Sequence, residues 1–197
     1  NEERGEHQDA SFLNKFFHNK VEAYAGNFLG HYLDHFNPNF LFTLGDPLKR
    51  NKVPEMGQMY FFEIATLLAG IYFLLRNKFE NTKIIFLWLM VAPLASSLTY
   101  QTPHALRAHN MVIPLTLISG LGLGMLWDNM FKLPRYTRNL LLGAGVLIIC
   151  ISMAVFFDRY FVHLPKEYAL EWEYGFSKVV AYIGQNQDKY QKIIITD

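Results

Sequence analysis

A chain of 197 residues with 18 Lys and Arg against 17 Asp and Glu carries a formal net charge of +1. Its cations sit at the ends of apolar blocks rather than on one face, which excludes a nucleic-acid partner. Hydrophobic residues make up 51% of it, yet the mean hydropathy is only +0.09, because polar segments flank four apolar blocks near 59–76, 84–101, 111–127 and 139–157. Each block approaches the roughly 20 residues that a helix needs to cross a bilayer. Residues 64–75 are apolar on every face, and a soluble core around four such blocks needs more covering chain than this one supplies.

Residues 1–9 are polar and acidic, whereas 10–36 place Phe12, Phe16, Phe17, Val21, Tyr24, Phe28, Tyr32 and Leu33 at mostly helical spacings. That pattern predicts an amphipathic helix or helix pair, which packs on the membrane domain or lies at headgroup level. Asn37-Pro38 ends it. Turn formers from Gly45-Asp46-Pro47 to Pro54-Glu55-Met56-Gly57, with Lys49, Arg50 and Lys52, predict an ordered basic loop at the membrane surface. Arg76, Lys78 and Lys83 join the first two blocks and Lys132, Arg135 and Arg138 the last two, so both connections lie on one side, cytoplasmic by the positive-inside rule. An even number of crossings then leaves both polar ends outside. After the fourth block, Trp172, Phe176, Val179, Val180 and Ile183 form an apolar helical stripe, followed by the strand-like Ile193-Ile194-Ile195.

The expected architecture is an all-α polytopic membrane protein with four transmembrane helices. An N-terminal outer amphipathic segment with a basic loop occupies 1–58, the transmembrane domain 59–157, and the start of a C-terminal α/β soluble domain 158–197. The lone Cys150 lies inside the fourth block and leaves no intramolecular disulfide. Asn1 opens the chain without a secretory signal, and the terminal strand looks cut short, so both ends read as those of an excerpt from a longer protein.

Candidate chemistry concentrates between the second and third blocks, in the polar run from Tyr100 to Asn110, with His104, Arg107 and His109. Arg107 suits an anionic headgroup or phosphate, because its planar fork binds two oxygens at once. Lys49, Arg50 and Lys52 lie on the same side in this topology, so two basic elements can converge on one anion; attraction to anionic lipid accounts for such a cluster equally well. Glu63, four residues into the first block, is a costly carboxylate that either pairs with Arg107, lines a polar cavity or reaches water at the helix end. Ser96, Ser97 and Thr99 after Pro93 either line a wet cavity or satisfy the backbone of neighbouring helices. His31 and His35 share a helical face beside Asp34, but two ligands do not make a metal site. Gly120, Gly122 and Gly124 permit close helix packing. No catalytic residue and no cofactor or metal is identified from these patterns.

The order of three segments, residues 35–42 (HFNPNFLF), Gly45-Asp46-Pro47 and residues 53–60 (VPEMGQMY), resembles the mid-chain outer loop of bacterial protein-mannosyltransferase-like and aminoarabinose-transferase-like glycosyltransferases of the GT-C superfamily. Pro103-His104-Ala105-Leu106-Arg107 entering a helix, and residues 163–168 (HLPKEY) before an amphipathic helix, add to the likeness. The resemblance implies an integral protein of a bacterial or archaeal cytoplasmic membrane. It implies transfer of a sugar from a polyprenyl-phosphate donor to an acceptor, at the outer face, with cations stabilising the departing lipid phosphate. In that reading Arg107 is the first choice, with Lys52, Arg50 and His104 behind it. The family's acidic residue lies upstream of the matched region and has no counterpart here, so the excerpt alone is expected to be inactive. Polar cavities and broken helices serve a transporter or channel equally well, and a noncatalytic scaffold subunit is a third reading.

Overall fold

The computed structural model describes residues 20–77, 82–189, 192 and 194, and Phe12, Phe16 and Phe17 of the expected N-terminal helix lie outside them. Helix α1 (Lys20–Asp34) ends just before Asn37-Pro38, where the Asn37 side chain accepts the Asn39 amide at 2.9 Å. A single wide turn (Asn39–Thr43) follows, and the basic loop then runs to Tyr60 with a short 3-10 turn at Lys49–Asn51. Gly45 sits at φ +68° with the Met56 carbonyl pressed against it, a backbone conformation that disfavours a side chain.

Helix α2 (Glu63–Asn77) is followed by α3 (Thr82–Val91) and the one-turn α4 (Leu94–Ser97), with the break at Pro93, which has no N–H to continue the ladder. Helix α5 (Val112–Met130) is entered through a 3-10 turn at His109–Met111. Helix α6 (Arg135–Asp158) continues through a wide turn into the short α7 (Leu164–Glu167), and α8 (Tyr174–Asn186) follows a 3-10 turn. Phe40, Leu41, Leu74, Ile85, Leu89, Met111, Leu115 and Ile118 form the buried core between these elements.

The closest helix pair is α2 with α5. Cβ atoms added at Gly70 or Gly122 would overlap the backbone carbonyls of Ile118 and Thr66, so the two glycines set the approach of the axes. The Thr66 and Ser119 hydroxyls bond across it at 2.6 Å. Of the three glycines of α5, only Gly122 serves this contact, since Cβ atoms at Gly120 and Gly124 would meet open space. Thr66 near the start of α2 meets the middle of α5, and Arg76 near its end shares a cavity with Asp128 and Lys132, so the helices run parallel and bring Glu63 and His109 to the same end.

Among the described residues two stretches, not four, are long and apolar enough to cross a membrane: His109–Met130 and Arg135–Glu167. The first block yields a helix of 15 residues, about 22 Å at 1.5 Å per residue against a hydrocarbon core of about 30 Å, because residues 59–62 are spent in a turn. The second is divided at Pro93, and its apolar helix, Thr82–Ser97, is likewise short of that length. The expected α/β domain fails too: residues 164–189 are helical apart from breaks at Tyr168 and Glu173, the described residues contain no strand, and Ile193 and Ile195 lie outside them. Of the apolar stripe, Phe176, Val179, Val180 and Ile183 lie on α8 and Trp172 in the 3-10 turn before it.

None of the most apolar window of α6 is buried by the rest of the chain. Its attachment lies at its far end, where Arg159 donates to the Pro54 carbonyl at 3.4 Å and pairs with Glu55, and Phe156 meets the Tyr60 ring edge-on. Lys49 adds a second tie, 3.7 Å from the Glu171 carboxylate and 5.8 Å from the centre of the Tyr168 ring.

Candidate functional site

The contact between the basic loop and the end of α6 encloses a cavity of about 440 Å³. Arg50 and Lys52 from the loop and Glu63 from the first turn of α2 line one side; Phe156, Tyr160 and Trp172 supply an aromatic wall on the other. The Lys52 ammonium donates to the Leu44 carbonyl at 3.1 Å, which holds its stem against the loop. Arg50 has no carboxylate within ion-pair distance among the described residues. Lys49, by contrast, is taken by Glu171.

Glu63 accepts the Tyr60 amide at 2.7 Å, reaching back three residues as a capping glutamate does, and so satisfies a donor at the helix start. Its position in the cavity wall and its cap are compatible, because a carboxylate has two oxygens. It forms no ion pair with Arg107.

Arg107 and His109 stand apart from this cavity, and both are exposed. The Arg107 guanidinium donates to the Thr99 hydroxyl at 2.8 Å, and that hydroxyl donates to the Ser96 carbonyl at 2.6 Å. His104 is buried, with Nδ1 3.8 Å from the Asp46 carboxylate and no hydrogen-bond partner. Arg50, Lys52 and Glu63 are therefore brought together, while His104, Arg107 and His109 belong to the neighbouring loop.

A fully buried polar core joins the two loops. The Asp46 carboxylate accepts the Leu48 amide (2.7 Å) and the Asn51 side chain (3.1 Å) within the basic loop, and the Ala105 amide (2.7 Å) from the other. His35 is equally buried. Its Nδ1 lies 2.8 Å from the His31 carbonyl, which can only accept, so the proton sits there and Nε2 accepts from the Ser96 hydroxyl (2.8 Å) and the His104 amide (3.3 Å). Ser97 meanwhile donates to the Pro93 carbonyl twice, through its amide at 2.9 Å and its hydroxyl at 2.8 Å. Both nitrogens of His35 are thus engaged, and the described residues hold no group of three metal-ligating side chains.

No family model, curated protein or solved structure matches the chain. The site is accordingly read from its own geometry. Sequence reasoning passed over Asp46, read as a turn former, and the aromatic wall of Phe156, Tyr160 and Trp172. An Asp two residues before an amide it can accept is a local signal for the first part of the Asp46 role; its bond to Ala105 has no counterpart in local spacing.

Burial of His35 holds its pKa below the ordinary 6.5, against the opposing pull of the His31 carbonyl and Asp34. A depressed folded-state value means that the unfolded chain takes up a proton first as pH falls. Stability contributed by neutral His35 is therefore complete above pH 6.5 and is lost progressively below it, down to the folded-state pKa. Thermal melting in detergent at pH 7.5 and pH 5 should show a fall for the wild type that is reduced in His35→Gln; an equal fall in both would place the acid sensitivity elsewhere.

Proposed function

We propose that the chain is the membrane part of a glycosyltransferase resembling the GT-C superfamily, moving a sugar from a polyprenyl-phosphate donor to an acceptor at the outer face. The observation that carries this reading is the cavity at the end of α6: two cations and a carboxylate opposite an aromatic wall, set where an apolar helix of membrane-spanning length ends. A lipid-linked sugar has matching parts. Its phosphate is held by Arg50 and Lys52, which stabilise the charge that develops as the lipid phosphate departs. Sugar faces stack on aromatic rings through their C–H surface, and the isoprenoid leaves along the lipid-facing side of α6.

Arg107 stands in second place here, because it does not line the cavity, whereas Arg50 and Lys52 do. Transfer of radiolabelled sugar from a panel of polyprenyl-phosphate sugars by the full-length protein in proteoliposomes tests the reading. The Arg50→Ala/Lys52→Ala double variant should lose about a hundredfold or more of its turnover, and Arg138→Ala on the opposite side should keep it. Absence of turnover across the panel with the fold intact, or equal losses in the two variants, overturns the reading.

A further inference from the structure

A second cavity, of about 650 Å³, lies between α2 and α5 at their other end, away from the basic loop. It is divided by chemistry. Arg76, Asp128 and Lys132 line its polar part, and Phe73, Leu121 and Met125 its apolar part. Lys132 lies two residues beyond the membrane-length stretch that ends at Met130; in a bilayer crossed by that stretch, the polar part stands at headgroup depth and the apolar part within the hydrocarbon.

The three charges are fixed in different ways. Arg76 lies over the Tyr72 ring, 5.7 Å from its centre, and donates to the Tyr72 hydroxyl. The Lys132 ammonium donates to the Asn129 side chain at 2.9 Å. Asp128 has no ion-pair partner among the described residues, although two cations line the same cavity. Gly120 and Gly124, one turn apart in the cavity wall, leave open space where Cβ atoms would stand. Both glycines are exposed, so this part of the cavity wall is bare helix backbone beside Leu121 and Met125.

We infer that this cavity binds a membrane aminophospholipid, with the phosphate between Arg76 and Lys132, the primary ammonium on Asp128 and an acyl chain over Gly120 and Gly124. Both signs of charge are needed to match that headgroup. Two cations alone would favour any anionic lipid; the carboxylate adds a preference for a headgroup amine that donates hydrogen bonds, which a quaternary choline cannot do. The inference rests on the membrane setting of the chain and is independent of sugar transfer, so either can fail alone.

Native mass spectrometry of the full-length protein, in detergent with equal amounts of phosphatidylethanolamine, phosphatidylcholine and phosphatidylglycerol, tests it. The wild type should retain phosphatidylethanolamine over phosphatidylcholine by about tenfold, the discrimination of one hydrogen bond to a charged group. Asp128→Asn should bring the two lipids to parity and raise the share of phosphatidylglycerol. Gly124→Leu places a side chain in the cavity and should remove the phosphatidylethanolamine adduct; should that variant fail to fold, Asp128→Asn decides. No preference in the wild type, or a preference that survives Asp128→Asn, overturns the inference.

Discussion

Gly122→Ala is expected to destabilise the protein by about 3 kcal/mol, at the upper end of what overpacking a close contact costs. The new methyl would overlap the Thr66 carbonyl and the Gly70 amide, both of them backbone, so no side chain can rotate away and the helices must part. Parting them stretches the 2.6 Å bond between Thr66 and Ser119 and opens a gap around Ile118, which is fully buried. Gly120→Ala and Gly124→Ala make the same chemical change two residues to either side, where a Cβ meets nothing. They should be neutral or stabilising by up to about 1 kcal/mol through helix propensity. Thermal melting of the three variants in detergent compares them directly; similar midpoints for all three would show that α2 and α5 do not meet through Gly122.

That contrast marks how far local patterns carry. Three glycines at alternate positions read as one packing motif, and only the partner helix decides which of them faces it. The break after α1 was legible because proline acts on its own backbone and its immediate neighbours. The apolar blocks 111–127 and 139–157 fall within His109–Met130 and Arg135–Glu167, the two runs of membrane-crossing length among the described residues. Hydropathy overcounted at the other blocks, since a sliding average carries an apolar run across residues 59–62 and across Pro93 without registering that the helix starts late or stops early.

Side-chain direction was the part of the site that sequence did not give. Arg107 and His104 are three residues apart in a loop, yet one is exposed on Thr99 and the other is buried beside Asp46. The aromatic wall comes from residues about a hundred positions beyond Arg50 and Lys52, and no spacing rule reaches that distance. What joins them is the pairing of Arg159 with Glu55 and of Lys49 with Glu171, formed between segments that are each unremarkable alone.

Asp46 makes the strongest claim on the arrangement, and Asp46→Ala should cost about 3 kcal/mol, the low end for three part-buried donors left unpaired at about 1–3 kcal/mol each. Three donors lose their acceptor: the Leu48 amide, the Asn51 side chain and the Ala105 amide. The first two belong to the basic loop and the third to the loop of His104, so the loss should loosen both together. Hydrogen exchange followed by mass spectrometry should show faster exchange over residues 45–58 and 100–111, with the α2–α5 contact protected as in the wild type. Asp46→Asn keeps the size and, with its oxygen facing Asn51 and Ala105, turns its amide toward the Leu48 N–H alone, so its effect should be intermediate. Arg50→Ala is the reference, since it removes a cation from the cavity without touching the network, and exchange in both loops should stay unchanged. Faster exchange in the basic loop alone would mean that the Asp46–Ala105 bond does not couple the loops, and that the cavity cations are held by the ties to α6 and Glu171 instead.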